Sequence, residues 1–472
     1  MEARSQEAQG GLGGRGALIG AVALAVAAAA LTRWGLLWDD AWAPGYDGGY
    51  YVLQVTSTRA GAPIFADRSL VFDALAGLAS LLGGDVVLAN KVGALVCGAA
   101  LSGLCALAAG RWTGRAEAAA LAGLWVATAP GHLGISAEYL KNEGGLALIG
   151  GVLALLAAPR GRGDWLGAAA LVGLAGLCHK VMGGLGLGLL AAAAWGQRGA
   201  PGLRRSWLAV ALLLPLALTL VRPEDLLRSG EIAGGDRIAV LMGGRLPSVQ
   251  LLEVLLTHLC PLGLGLLLYR RPALRGLGLP LLGFALLCTA PGLPFGFDLT
   301  AWRLLLMGTI PLAFGLGAMG AGRPRLALAL GLWMALVAPG SVASQAAREP
   351  DYEGWAPLLD VIRAAVPAEE RLIAHRGLCG YLWAAGGRRC ENFAPQGDPA
   401  GWWRVVYGFG EERLFDPEAP PPLALRPGYT LITEAAWRRF VAASGGRYAL
   451  TSDPRNPYEA RPAYVYGPSA PP

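Results

Sequence analysis

From residue 17 to residue 340 the chain is a succession of apolar runs, most near the length of a membrane helix, with charges crowded into the gaps. A bilayer core takes about 20 apolar residues per helix, and soluble domains carry about 25% charged residues. This chain carries 15% and is 54% hydrophobic. The pattern predicts an α-helical polytopic membrane protein. Its 70 glycines agree with that, because helices in lipid pack through small residues. The net charge of +6 does not point to nucleic acid. The basic residues form no stripe with interleaved aromatics, and their clusters in short connections are topology signals.

Eleven spans are expected, near 17–38, 86–109, 117–131, 143–158, 165–178, 181–196, 207–221, 251–269, 276–290, 303–320 and 325–340. The stretch 69–83, with Asp73 inside it, reads as an interfacial or re-entrant helix within a first outer loop at 39–85. Cytoplasmic loops collect Lys and Arg. With 69–83 excluded, every second connection carries such a cluster: Arg111/Arg115, Arg160/Arg162, Arg198/Arg204/Arg205, Arg270/Arg271/Arg275 and Arg323/Arg325. Counting 69–83 as a span would set the Arg4/Arg15 end against all of them. The consistent reading is an uncleaved first helix, a cytoplasmic N-terminus and an extracytoplasmic C-terminus, with residues 1–340 as the membrane domain. The Ala/Gly/Arg-rich usage is that of a bacterial inner-membrane protein.

From residue 341 to residue 472 the periodicity changes. Trp355–Val366 is patterned as an amphipathic helix, Arg371–His375 and Tyr429–Thr433 as strands, and Gly380–Ala385 and Glu434–Ala443 as helices. Alternation of this kind predicts a small α/β domain. His375 stands alone there, and Trp402-Trp403-Arg404 lines a groove or simply packs. Five of the seven cysteines lie in apolar spans as small packing residues. Cys379 and Cys390 lie in the tail, where a non-cytosolic compartment allows a disulfide.

Acidic residues at two membrane boundaries are the candidates for chemistry. Asp39, Asp40 and Asp47 follow the first span, and Asp47 precedes Gly48-Gly49-Tyr50-Tyr51, which can start a helix on the membrane. A carboxylate at a helix N-terminus is stabilised as the anion, the form that a base or metal ligand requires. The second group is Ser136-Ala-Glu138-Tyr139-Leu-Lys141-Asn142-Glu143. Five residues apart, Glu138 and Glu143 do not share one helix face and converge only across a turn. Ionisable groups in membrane helices are costly and functional by default. His179-Lys180 offers a phosphate contact or a polar turn, and Arg303 a two-donor phosphate clamp or an anchor beside Trp302. The catalytic candidates are thus Asp47, Asp40 and Glu143. The substrate-binding candidates are Glu138, Lys141, His179, Lys180, Arg303 and Tyr50. Asp47 and Glu143 are expected to meet in one cavity facing away from the cytosol.

A first-loop Asp-x-x-Tyr followed by an Asn-Glu-Gly turn resembles the GT-C superfamily of membrane glycosyltransferases. That superfamily includes oligosaccharyltransferase catalytic subunits, protein O-mannosyltransferases and aminoarabinose transferases. Ala137–Ile149 is similar to the Tyr-Asp-Asn-Glu-Gly stretch of oligosaccharyltransferases, with Glu143 on the motif's Glu and Lys141 in place of its Asp. Asp47 with Tyr50 looks like the family's first-loop acid. The resemblance implies a GT-C-like bundle of about 11 helices with an extracytoplasmic α/β domain. It implies a donor sugar on a polyprenyl phosphate, an inverting transfer with Asp47 as base, and a protein, lipid or glycan acceptor. It leaves the cofactor open: a divalent cation on Asp47 and Glu143, or Lys141 in the metal's place. Two other readings stay open, a transporter or flippase of lipid-linked glycans and a non-catalytic envelope assembly protein on a GT-C scaffold.

Overall fold

The computed structural model describes residues 12–39, 41–45, 47–61, 68–196, 248–289, 299–346, 352–374, 376–391, 398–407, 423–426 and 429–443. Asp40, His375 and the expected span at 207–221 lie outside the described residues. By their contacts the residues divide into two compact units. One comprises the described parts of Met1–Asp39, Asp67–Leu78 and Lys91–Arg348, the other those of Asp40–Ala66, Ala79–Asn90 and Glu349–Pro472.

The described residues of the first unit form helices and their connections. Its elements are α1 (Leu12–Leu37), then, after α2 (Gly48–Arg59) of the other unit, α3 (Leu70–Leu81), α4 (Val86–Thr113), α5 (Ala116–Thr128), α6 (Pro130–Glu138), α7 (Leu140–Leu156), α8 (Arg162–Cys178) and α9 (Lys180–Gly196). They continue as α10 (Ser248–Arg270), α11 (Arg275–Thr289), α12 (Leu299–Met307), α13 (Thr309–Gly320) and α14 (Pro324–Ala346). Among the described residues six stretches are long and apolar enough to cross a membrane: Gly14–Leu37, Val86–Thr113, Leu252–Arg270, Pro272–Thr289, Arg303–Gly320 and Pro324–Ala346. The pair α5 and α6, bent by 53° at Ala129, makes a seventh if counted as one span. The expected spans at 143–158, 165–178 and 181–196 are the helices α7, α8 and α9, of 17 residues each. The chain is a multi-pass membrane protein.

Its packing follows from residue size. Gly123 of α5 leaves so little room that an added Cβ would lie 2.3 Å from Ala25 Cβ of α1 and 2.9 Å from Ala106 Cβ of α4. Side chains this small let helix backbones approach closely, which drives association where lipid is as apolar as the protein. Large apolar side chains are exposed elsewhere on the unit. Leu328, Leu332 and Leu336, four residues apart on α14, are exposed, the stripe expected of a helix facing lipid.

The second unit holds α2 and the tail elements α15 (Tyr352–Ala365), β1 (Arg371–Ile373), α16 (Arg376–Gly386), β2 (Cys390–Glu391), β3 (Trp402–Tyr407), β4 (Leu423–Arg426), β5 (Tyr429–Thr433) and α17 (Glu434–Ala443). Five strands form one sheet in the order β2-β1-β3-β5-β4. β1 is parallel to β2 and β3, while β5 is antiparallel to β3 and β4. The aromatic and β-branched run Trp402–Tyr407 suits a strand, and its residues from Trp403 to Tyr407 pair with Tyr429–Thr433. On α15, Trp355, Leu358 and Ile362 are buried at helical spacing against Leu372, Leu378, Leu382 and Val405. The Trp402–Arg404 segment packs: Trp402 is buried beneath Arg371, Trp403 Nε1 donates to Glu370, and Arg404 pairs with Glu434 at 2.7 Å. The described residues between 40 and 66, which the sequence groups with the membrane domain, cluster with this tail.

Candidate active site and similar structures

Helix breaks concentrate in the first unit where the candidate residues lie. Tyr139 alone separates α6 from α7, His179 alone separates α8 from α9, and Gly308 separates α12 from α13. The expected Glu138–Glu143 turn is this one-residue break, with Glu143 inside the first turn of α7. A break inside a membrane leaves N–H and C=O groups without helical partners, so it persists only where protein or a cavity satisfies them. Two breaks lie side by side. A Cβ on Gly145 of α7 would meet Met182 Cγ of α9 at 2.4 Å and the Ala175 carbonyl of α8 at 3.6 Å. Ser69, just before α3, donates to the Cys178 carbonyl at 2.6 Å, beside His179.

Glu143 is fully buried and bound by groups that composition alone conceals. Ser136 Oγ donates to Glu143 Oε1 at 2.9 Å, His132 Nε2 lies 3.2 Å from Oε2, and Arg33 Nε lies 3.9 Å from Oε1. Arg33, fully buried on α1, donates Nε to Ser136 Oγ at 3.1 Å and Nη1 to the Ala127 carbonyl at 3.1 Å, and places Nη2 2.7 Å from His132 Nδ1. His132 Nδ1 lies 2.7 Å from both Arg33 Nη2 and the Val126 carbonyl oxygen, a donor and an acceptor, so these contacts do not select one tautomer. Burying an ion is costly unless it is paired and hydrogen-bonded; Glu143 Oε1 meets both conditions, whereas Oε2 and His132 Nε2 have no hydrogen-bond partner among the described residues. One hydroxyl, Ser136, and two basic side chains, Arg33 and His132, thus surround the carboxylate.

Gly98 of α4 makes the arginine's slot, since a Cβ there would sit 1.8 Å from Arg33 Nε. Gly98→Ala is expected to destabilise the protein by about 1–3 kcal/mol, the usual cost of overpacking. Thermal melting in detergent measures it, and an unchanged midpoint would show that Arg33 does not occupy the slot.

Arg303 of α12 stacks its guanidinium 4.5 Å from the centre of the Tyr139 ring, and its Nε is buried with no hydrogen-bond partner among the described residues. Asn142, 2% exposed, likewise has no partner for Nδ2. Lys141, half-buried on the first turn of α7, lies 5.5 Å from the Phe72 ring of α3. Glu138 ends α6 half-buried, and Lys180 opens α9 directly after His179. In the second unit Asp47 is the residue before α2, partly exposed, and its side chain makes no capping bond to that helix. Tyr50 of α2 packs its ring edge-on against Tyr51 at 5.6 Å.

Three residues outside the sequence candidates matter. Arg33 and His132 sit inside apolar runs, and the signal for Arg33 was its sign: a lone cation in a span needs a carboxylate partner. Glu253 of α10, 5% exposed, accepts from Gly131 N at 2.6 Å and from the Thr309 hydroxyl. It thus satisfies a backbone N–H in the first turn of α6 and binds the first side chain of α13, two of the helices that begin at breaks.

No protein-family model and no curated protein matches the sequence. Solved structures do match. Apo ArnT from Cupriavidus metallidurans superposes with a TM-score of 0.59 at 15% identity, over 88% of this chain and 98% of that one. The same protein bound to undecaprenyl phosphate gives a TM-score of 0.53 at 16% identity over the same shares. The Archaeoglobus fulgidus oligosaccharyltransferase with zinc and sulfate gives 0.46 at 14% identity over 79% of this chain, which spans only 62% of that protein's length. The chain has a GT-C-like fold, as its first-loop Asp-x-x-Tyr and its Asn-Glu-Gly segment led us to expect.

Proposed function

We propose that this protein is a glycosyltransferase that moves a sugar from a polyprenyl-phosphate-linked donor to an acceptor outside the cytosol. The single observation that carries the reading is the Tyr139 break. There Arg303 Nε and Asn142 Nδ2 are buried donors without partners among the described residues, and Lys141 adds a cation on the same turn. Buried donors are almost always satisfied, so this break is built to receive an acceptor-rich anion such as a phosphate. That ArnT was solved with undecaprenyl phosphate bound supports the lipid-linked form of that anion.

In the proposed reaction the acceptor's hydroxyl or amine gives its proton to Asp47 while its oxygen or nitrogen attacks the anomeric carbon. The bond from that carbon to the phosphate oxygen breaks, and the polyprenyl phosphate leaves with inversion at the sugar. Arg303, Lys141 and Lys180 stabilise the negative charge that develops on the leaving phosphate, the kind of preorganised electrostatics that usually dominates catalysis. Glu143 holds Arg33 and His132 in place and takes no part in proton transfer. The arginine-rich connections and a disulfide in the tail, a bond that persists in oxidising compartments, support a cytoplasmic N-terminus and an extracytoplasmic tail.

The test uses the purified chain in lipid nanodiscs with a radiolabelled polyprenyl-phosphate sugar. Arg303→Ala and Lys141→Ala are each expected to lower kcat/KM for the donor by about 10²–10³-fold, the cost of deleting one charge-stabilising group. Undiminished transfer in both variants, or strict dependence on a divalent cation, would overturn the phosphate assignment.

A further inference from the structure

We propose that the tail domain is the device that positions Asp47, acting through a glycine–glycine crossing that the Cys379–Cys390 disulfide holds in place. This rests on the assignment of Asp47 as base. All of the groups involved belong to the second unit.

Asp47 is bracketed on both sides by contacts with tail residues. On its C-terminal side, α2 meets α16 backbone to backbone. A Cβ on Gly49 would lie 2.2 Å from Gly380 C and 2.4 Å from Tyr381 N, and a Cβ on Gly380 would lie 3.0 Å from Tyr50 N. Any residue but glycine at 49 would force the two helices apart. On its N-terminal side, the Tyr352 hydroxyl of α15 donates to the Gly45 carbonyl. Trp42 packs edge-on against Tyr381 with ring centres 5.0 Å apart. Gly48 closes the fold-back, since a Cβ there would lie 2.2 Å from the Ala43 carbonyl oxygen. A shift of α16 is therefore passed to the residue two positions before Gly49.

The disulfide acts at the crossing itself. Cys379 adjoins Gly380, and it is bonded to Cys390, the first residue of β2. β2 is a two-residue edge strand held by its register with Leu372 and Ile373 of β1. So short a strand has few ladder bonds of its own, and the covalent link ties the first half of α16 to the sheet. The tail thus serves as a rigid mount for a first-loop base, and Gly49, Gly380, Cys379 and Cys390 are positioning residues.

The test is hydrogen–deuterium exchange on the full chain in nanodiscs, paired with transfer kinetics. In Cys379→Ser/Cys390→Ser, peptides covering Gly48–Arg59 and Arg376–Gly386 are expected to exchange at least about tenfold faster, the signature of local opening, with α5 and α7 unchanged. Donor-saturated kcat is expected to fall by about 10²-fold, as displacement of a reacting group by about 1 Å can cost that much, with KM for the donor unmoved. If the double variant fails to accumulate, Gly49→Ala with the disulfide intact should deprotect α2 alone. Unchanged protection of α2 in both variants overturns the mount. Loosened α2 with undiminished kcat overturns the assignment of Asp47 as base while leaving the mechanical coupling demonstrated.

Discussion

Asp47→Asn is expected to reduce turnover by about 10²–10⁴-fold, the usual contribution of general base catalysis, while expression and melting temperature stay at wild-type values. Asparagine keeps the size and polarity of the side chain but cannot take a proton. Asp47 makes no capping bond to α2, and the glycine crossing that anchors this helix lies two residues on, at Gly49. Rates measured with a lipid-linked sugar at saturating donor, together with a thermal scan of the same preparation, check the prediction. A variant with wild-type turnover would remove the base from the proposed reaction. It would favour a GT-C scaffold retained for envelope assembly without chemistry.

Glu143→Ala is expected to be the most destabilising single change in the membrane unit, at about 3–5 kcal/mol. Removing one member of a buried ion pair leaves the other charge uncompensated in a low-dielectric surrounding. Arg33, fully buried, would keep its bonds to Ser136 and the Ala127 carbonyl but lose its counter-charge. Replacing both, as Arg33→Met with Glu143→Leu, removes the uncompensated charge and should cost much less than the sum of the two single changes. Melting of the four proteins in one detergent gives the coupling. Additive losses would show that the two groups do not act as a pair.

Much of the architecture could be read from residue patterns because hydropathy and charge placement are local properties. The apolar runs at 17–38, 86–109 and 251–269 are helices, and 69–83 holds a helix too short to span, Leu70–Leu81. The tail's alternation gave the helices at Trp355 and Glu434 and the strand at Tyr429, and the two tail cysteines are bonded. What escaped were features set by distant partners. Arg33 and Glu143 are far apart in sequence, so neither run reveals the pair. The strand Trp402–Tyr407 was hidden by its two tryptophans, whose bulk suggests a binding groove until Arg371 and Glu370 are found against them. Ala129 and Tyr139 interrupt helices without a glycine at either position, and the carboxylate of Glu253 that supports the first of these breaks comes from α10.

The Arg33–Glu143 pair has a consequence for how the protein is made. The ribosome delivers α1 to the membrane with its guanidinium already in place, long before the codon for Glu143 has been read. Until α7 arrives, that cation has to stay at the headgroups or in the care of the insertion machinery. Helix α1 thus enters before its counter-charge exists, and its burial is completed only by a residue translated later.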